Sequence, residues 1–389
     1  MNKKPILSVL AAVILLAPAV ANASWSIKAL GMLDGTASRV TGINNSGQVI
    51  GVISDNSPGS TDITRAFITD ADGAGIRYLG ALGGTDSYAA DINDSGQVVG
   101  WANTSDNLYH AFITGSNGAG MTKLDFGHMN TTSSVAYGIN NSGQVVGSYR
   151  DAEDIHDFIT GTNGVGLKNF NALNGVADIN NSGQVLGGLA LTSARHAAIA
   201  DSNGENITDL GSIIGFQNSG AREINDSGQV AGSVWNPYYN PDLEEELILT
   251  QHAFVTGANG AGMIDLTPLL GGDDTIATGI NNSGQVVGRA YPEGVGYGFL
   301  YSGEAVINLS LLDTVISAGW TGIAPEAIND NGQIAGHGYL NGHIQAFLLT
   351  PSDISPVPEP STFTMLLAGL GFLGIGGIRN AVINKATIA

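Results

Sequence analysis

The chain has no cysteine at any of its 389 positions. That excludes disulfide stapling and thiol catalysis together, so the fold has to be held by its core. Basic side chains are scarce as well: 14 Lys and Arg stand against 34 Asp and Glu, a formal net charge of −20. Such a surface repels nucleic acid and anionic lipid and keeps the chain soluble by self-repulsion. Charged residues of both signs still make up only 12% of the chain, too few for a disordered acidic tract. Familiar catalytic phrases are also missing. No serine stands in a Gly-x-Ser-x-Gly elbow, and no glycine-rich loop ends in Lys-Ser or Lys-Thr, the phrases that build an exposed nucleophile or a phosphate cradle.

Long hydrophobic runs occur only at the two ends. Lys3 and Lys4 precede an apolar stretch from Ile6 to Ala17, and Ala21-Asn22-Ala23 stands before Ser24. A basic start, an apolar run too short to span a bilayer comfortably and a small-x-small cleavage pattern make residues 1–23 a secretory signal peptide. At the other end, Ser361 to Ile378 carries no charge over eighteen residues, enough for a short transmembrane helix. Arg379 and Lys385 follow, which favours a cytoplasmic tail over 379–389. In front lies Val357-Pro358-Glu359-Pro360, within a stiff linker over 352–360. This order of Pro-Glu-Pro motif, apolar span and basic end resembles the PEP-CTERM sorting signal of Gram-negative bacteria. The resemblance implies that Pro358, Glu359, Pro360 and Arg379 form a sorting and processing motif read by an exosortase-type enzyme. It further implies an exported protein at the cell surface or outside the cell, held transiently or permanently in the inner membrane, often in the company of extracellular polysaccharide. With both ends trimmed, 10 basic and 33 acidic residues remain.

Between the ends the chain repeats itself. Ile-Asn-Asn-Ser-Gly-Gln-Val-Val-Gly stands at 139–147 and again at 280–288, with near-copies from Ile43, Ile92, Ile179, Ile224 and Ile328. An Asn at the first turn position, whose side chain bonds the backbone two residues on, and a Gly three places later read as a bulged hairpin tip. Alternating apolar residues on both sides read as its strands. A third strand follows in each repeat, as in His-Ala-Phe-Ile-Thr at 110–114 and His-Ala-Phe-Val-Thr at 252–256. A fourth, short strand follows in six of the seven, near 76–79, 121–124, 167–170, 207–210, 263–266 and 306–309. The seventh repeat runs into Pro351 without one. Ser26 to Leu33 has the fourth-strand pattern and no repeat before it.

The simplest account is a ring. Seven sheets of four strands, with spacings of 49, 47, 40, 45, 56 and 48 residues between the repeated isoleucines, predict an all-β, seven-bladed β-propeller over 24–351, its last blade completed by the N-terminal strand. An open β-solenoid is the rival and needs capping ends rather than an exchanged strand. The position three before each isoleucine is small or narrow, Val40, Ala89, Ala136, Val176, Ala221, Ala277 and Pro325, as crowding at an innermost strand would select. The repeats resemble those of the HAF-repeat extracellular proteins, whose His-Ala-Phe letters stand intact at 110–112 and 252–254. That resemblance supports location and repeat type.

Few residues invite chemistry. Six turns read Asn-x-Ser, formally a glycosylation acceptor, but turn geometry asks for the same letters. His110, His156, His196 and His252 occupy one strand position in four different blades, too far apart in a ring to share a metal at about 2 Å. Asp94, Asp226 and Asp330 recur in the turns, where a turn role suffices. The loops Gly83–Ser87 and Gly271–Thr275 offer oxygens for calcium but lack the twelve-residue loop pattern. The expectation is no cofactor, no metal, no nucleic-acid partner and no enzyme. The longest spacing, between Ile224 and Ile280, holds Trp235, Tyr238 and Tyr239 beside a glutamate run. Aromatic faces next to amides and carboxylates suit sugar rings or a protein partner, and this long stretch reads as a loop on a rigid scaffold, where function collects, so these three are the candidate ligand-binding residues. The alternative from another class is a carbohydrate-active enzyme, a glycosidase or lyase with two carboxylates brought together across loops. A third is a self-associating surface-layer scaffold.

Overall fold

The repeated phrase folds as a hairpin tip in all seven copies. In the copy at Asn44, its Oδ1 accepts from the backbone N–H of Ser46 and of Gln48 at 3.1 and 3.0 Å, and Gly47 N–H closes the turn onto the Asn44 carbonyl at 2.9 Å. The closing glycine has φ between +70° and +79° in every copy, a left-handed conformation that costs a residue with a Cβ about 1 kcal/mol or more. The computed structural model describes residues 24–55, 63–127, 131–240, 245–272, 274–303 and 305–352. The expected signal peptide, sorting motif, helix over 361–378 and tail lie outside them. Among the described residues no helix is long and apolar enough to cross a membrane.

Each tip joins an inner strand to a second one, and each blade is a four-stranded antiparallel meander. Blade 1 runs Ala37–Ile43, Val49–Ser54, Thr64–Ile68 and Arg77–Tyr78. The outer strands fall where the sequence places them, including Thr122–Lys123, Lys168–Asn169 and Thr208–Asp209. In blade 7 the order is Trp25–Gly31, His343–Pro351, Ile334–Leu340, Thr321–Ile328. The first strand of the chain is therefore the outermost strand of the last blade, and the ring is closed by it. Its alternation serves both neighbours: Trp25 and Ile27 pack on the core between blades 6 and 7, and Leu30 is buried in the core between blades 7 and 1.

Among the described residues the buried apolar side chains form seven separate clusters, and every one lies between two adjacent blades. A lone four-stranded sheet leaves two apolar faces wet; stacking in a circle covers both. The narrow inner-strand residue meets a glycine of the second strand, as Ala136 meets Gly147. A Cβ on Gly147 would lie 2.1 Å from the Val135 carbonyl oxygen and 2.7 Å from Cζ of Phe158. The third-strand phenylalanine thus lays its ring over that glycine, and Phe67, Phe112, Phe158, Phe254, Phe299 and Phe347 are all fully buried. Blade 4 has Ala198 instead, and there Leu173 fills the space beside Gly187.

One expectation changes form. The long spacing after Ile224 does not make a loop: it lengthens two strands of blade 5, Val230–Asn240 and Glu245–Thr256, into a hairpin with a bulge between Trp235 and Pro237.

Candidate functional site: the channel and the aromatic face

The hairpin tips converge on the ring axis, and their side chains close two belts of hydrogen bonds. In the inner belt, Asn44, Asn93, Asn140, Asn180, Asn225, Asn281 and Asn329 each donate Nδ2–H to the backbone carbonyl of the next one, at 2.9–3.1 Å, and Asn329 donates to Asn44. In the rim belt the backbone N–H of Asn45, Asp94, Asn141, Asn181, Asp226, Asn282 and Asp330 each reaches Oδ1 of the next, again returning to Asn45. The three rim aspartates are separated by asparagines, whose Nδ2–H groups donate to Asp94, Asp226 and Asp330. The turn role expected for these carboxylates is incomplete, because each of them also bonds across to neighbouring blades. Together the tips line a polar cavity of about 140 Å³.

Below the rim lie three acids that sequence reasoning did not single out. Asp91, Asp178 and Glu223 each precede a repeated isoleucine, a place held by Gly42, Gly138, Gly279 and Ala327 in the other blades. Each reaches across to the next blade: Asp91 Oδ2 accepts from Ile139 N–H at 2.8 Å, Asp178 Oδ2 from Ile224 N–H at 3.1 Å and Glu223 Oε2 from Ile280 N–H at 2.8 Å. Asp91 and Asp178 also accept from the N–H of the isoleucine that follows them. The ring walls enclose all three. Enclosure, helped by the Asp178 charge, pushes Asp91 up to about 8 despite its two backbone donors. Burial likewise raises Asp178, and it raises Glu223 well above the usual carboxylate range, with Asp178 and Asp91 adding to the effect. The signal that could have found them is that alternation of acid with glycine or alanine at one repeat position.

Away from the tips the channel widens into a cavity of about 500 Å³ that includes Trp101, Tyr137 and Arg222. Tyr137 also borders a neighbouring cavity of about 720 Å³, which Trp235, His156 and His196 help to line. Tyr88 stacks on Trp101 with ring centroids 5.2 Å apart. Trp235 lies half-buried against Gly220, where a Cβ would approach its ring to 3.0 Å. Of the expected ligand-binding residues, Trp235 therefore faces a cavity. Tyr238 and Tyr239 pair with Leu247 and Glu246 farther along the blade 5 hairpin.

The four histidines sit in blades 2, 3, 4 and 5, and three have a carboxylate in their own blade: His156 with Asp151 at 3.0 Å, His196 with Asp209 at 2.9 Å, His252 with Asp265 at 2.8 Å. His110 is buried with Nδ1 unpaired, and burial holds its imidazole below the usual range. Among the described residues no group of three or more His, Asp and Glu has the arrangement of a metal site. Residues 83–87 belong to the inner strand of blade 2, where Asp86 accepts from Thr64 N–H at 2.9 Å and from Asn103.

These features define a class, a seven-bladed β-propeller closed by a single N-terminal strand. The chain is similar to the acylaminoacyl peptidase of Pyrococcus horikoshii, at 10% identity and a TM-score of 0.52 over 84% of this chain and 54% of that one. It is similar to an acylaminoacyl peptidase bound to Z-Gly-Gly-Phe-chloromethyl ketone, at 10% identity and a TM-score of 0.53 over 82% and 52%. An oligogalacturonate lyase of Vibrio parahaemolyticus gives 9% identity and a TM-score of 0.46 over 84% and 94%. At such identities the likeness is one of fold alone, and the chain spans about half the length of the peptidases it matches. No curated protein sequence matches the chain.

The particular assignment comes from the C-terminus. Residues 356–380 match the profile of the PEP-CTERM protein-sorting motif, a stretch that takes in Pro358, Glu359, Pro360 and Arg379. The chain carries the signal of an exported protein, and that signal implies recognition by an exosortase-type processing enzyme.

Proposed function

We propose that this is a binding or structural protein of the cell envelope or extracellular matrix, which presents the aromatic end of a stiff ring to polysaccharide. The observation that carries the reading is the open cavity of about 720 Å³ bordered by Tyr137 and Trp235 on a chain that bears an export signal. Indole and phenol faces give large contact area with a polar handle, the chemistry that sugar rings ask for. The letters shared with HAF-repeat extracellular proteins favour the same location.

The carbohydrate-active alternative would need a pair of carboxylates free to act on a bond. The three channel acids are a poor fit, because Asp91 and Asp178 spend both oxygens on backbone N–H groups and Glu223 spends one. Co-sedimentation of the purified protein with exopolysaccharide from its own culture, with product analysis on the same samples, separates the two. Retention without cleavage, weakened about tenfold by Trp235→Ala, is the expected result; turnover lost in Asp178→Asn would establish the enzyme instead. Sorting is tested by replacing Pro358, Glu359 and Pro360 with alanine and fractionating cells. The altered chain is expected to stay with the inner membrane, and identical partitioning of both forms would defeat the sorting role.

A further inference from the structure

The strongest unassigned feature lies where blades 6, 7 and 1 meet, near the seam closed by the first strand. A cavity of about 350 Å³ opens there, lined by Arg39, Arg289, His337, Tyr291, Tyr297 and Tyr339 among others, with no carboxylate among the described residues of its lining. In a chain with only 14 basic residues and a net charge of −20, two guanidinium groups beside one cavity are a local reversal of sign. Arg289 is fixed by Nη2, which donates to Glu326 Oε1 at 2.6 Å behind the wall. Its Nε is buried without a partner, as is Nδ1 of His337, which stands 3.7 Å from Glu326 and so beyond hydrogen-bond reach. Among the described residues the Arg39 side chain makes neither a hydrogen bond nor an ion pair, its backbone pairing with Val52 inside blade 1. Glu326 is itself hard to ionise, since burial raises it against the opposing pull of Arg289 and Arg222. Burial and the two arginines hold His337 down to about 4, so its imidazole is neutral and adds no charge.

The walls supply the rest of a sugar site. Tyr339 is half-exposed and lies over Gly322, where a Cβ would come within 3.2 Å of its ring. Tyr291 similarly covers Gly296, with 2.8 Å to a Cβ. Glycine at both places lets a flat aromatic face lie along the backbone. Tyr297 is oriented by donating its hydroxyl to the Leu270 carbonyl at 2.6 Å. A planar guanidinium pairs with a carboxylate through two parallel hydrogen bonds, and an adjacent phenol ring offers a face to a pyranose.

We propose that this cavity is a subsite for an acidic sugar, with the carboxylate of a uronic-acid residue held by Arg39 and Arg289 and the ring resting on Tyr339 and Tyr291. The proposal deepens the reading of the protein as a polysaccharide binder and rests on it for the class of ligand. It adds the sign of the ligand's charge and a place distinct from Trp235.

The test is calorimetric titration of the full-length chain in detergent with a tetramer of glucuronic acid, the matching glucose tetramer and inorganic sulfate. The acidic tetramer is expected to bind at least tenfold tighter than the neutral one, to weaken as salt rises, and to lose tenfold or more with Arg39→Gln. The Arg39 side chain has no structural partner among the described residues, so that variant keeps its fold, which its thermal melt confirms; Tyr339→Ala gives a second, independent loss. Equal affinity for the acidic and neutral tetramers overturns the proposal, as does unchanged binding by Arg39→Gln. Sulfate binding as tightly as the acidic tetramer overturns the sugar part and leaves a bare anion site. The two readings fail separately. Neutral glycan retained through Trp235 with no preference for the acidic tetramer refutes this cavity alone, whereas Arg39-dependent uronate binding without retention on cell polysaccharide refutes the broader role alone.

Discussion

Asn140 and Asn141 are adjacent, share a side chain and differ in what they hold. Asn140 is buried and its side chain makes four bonds: Oδ1 accepts from the backbone N–H of Ser142 and Gln144, and the Nδ2–H groups donate to the Gln144 side chain and to the Asn180 carbonyl of the next blade. Asn140→Ala should cost about 3 kcal/mol by chemical denaturation, since it strands several buried polar groups, while Asn141→Ala at the exposed rim should cost under about 1 kcal/mol. Equal losses would mean that the inner belt carries no special weight. The channel acids set a pH dependence. Asp91 titrates near 8 in the folded chain against 3.8 for a free side chain, so the folded state binds the proton more tightly than the unfolded state does. Its contribution is complete below about pH 4 and is lost as pH rises through about 8. The unfolding midpoint should fall across that window, and Asp91→Asn should flatten part of the slope; an unchanged slope would place the titration elsewhere. At this scale the sequence showed the turn role of each Asn and Gly. It did not show the bonds between repeats, because their partners lie 40 to 57 residues apart, or 285 at the closure, and meet only when the blades pack in a circle.

Within a blade the decisive contact is the close approach of inner strand, second-strand glycine and third-strand phenylalanine. Gly147→Ala brings a Cβ within 2.1 Å of backbone and 2.7 Å of the Phe158 ring, whereas at Gly187 in blade 4 the nearest atoms are at 2.9 and 3.0 Å. Gly147→Ala is expected to cost about 3 kcal/mol or more and Gly187→Ala about 1 kcal/mol, measured as shifts in denaturation midpoint. Similar values for the two would show that the strands slide apart freely. The His-Ala-Phe letters find their meaning here as well. The alanine N–H of Ala111 donates to Ser134 Oγ of the next blade at 2.9 Å, as Ala253 N–H does to Thr275 at 2.8 Å, and the phenylalanine fills the space over the glycine. Strand positions were legible because alternation and turn residues act locally. The blade 5 hairpin was not, because an irregular, charged stretch reads as a loop until its two halves pair.

The whole molecule depends on one junction. Trp25–Gly31 is the outer strand of blade 7 and contributes Leu30 to the core shared with blade 1, while Asn329 and Asp330 complete both belts onto Asn44 and Asn45. Deleting Trp25–Gly31 should lower the thermal midpoint by about 10 °C or more through lost burial and backbone pairing. It should also expose a strand edge that drives self-association on size exclusion; a deletion that melts like the parent would show that the ring needs no closing strand. The count of strands, six outer ones following their repeats and one preceding them all, was enough for the sequence alone to determine seven blades, their closure and an exported destination, because periodicity, turn chemistry and a terminal sorting signal are written in neighbouring residues. Only the tertiary structure decided that the tips form two continuous belts, that Asp91, Asp178 and Glu223 share one channel, and that Arg39 from the first blade meets Arg289 and His337 from the last two. Those juxtapositions arise from bending a linear series into a circle, and a circle brings together residues that no local rule of spacing relates.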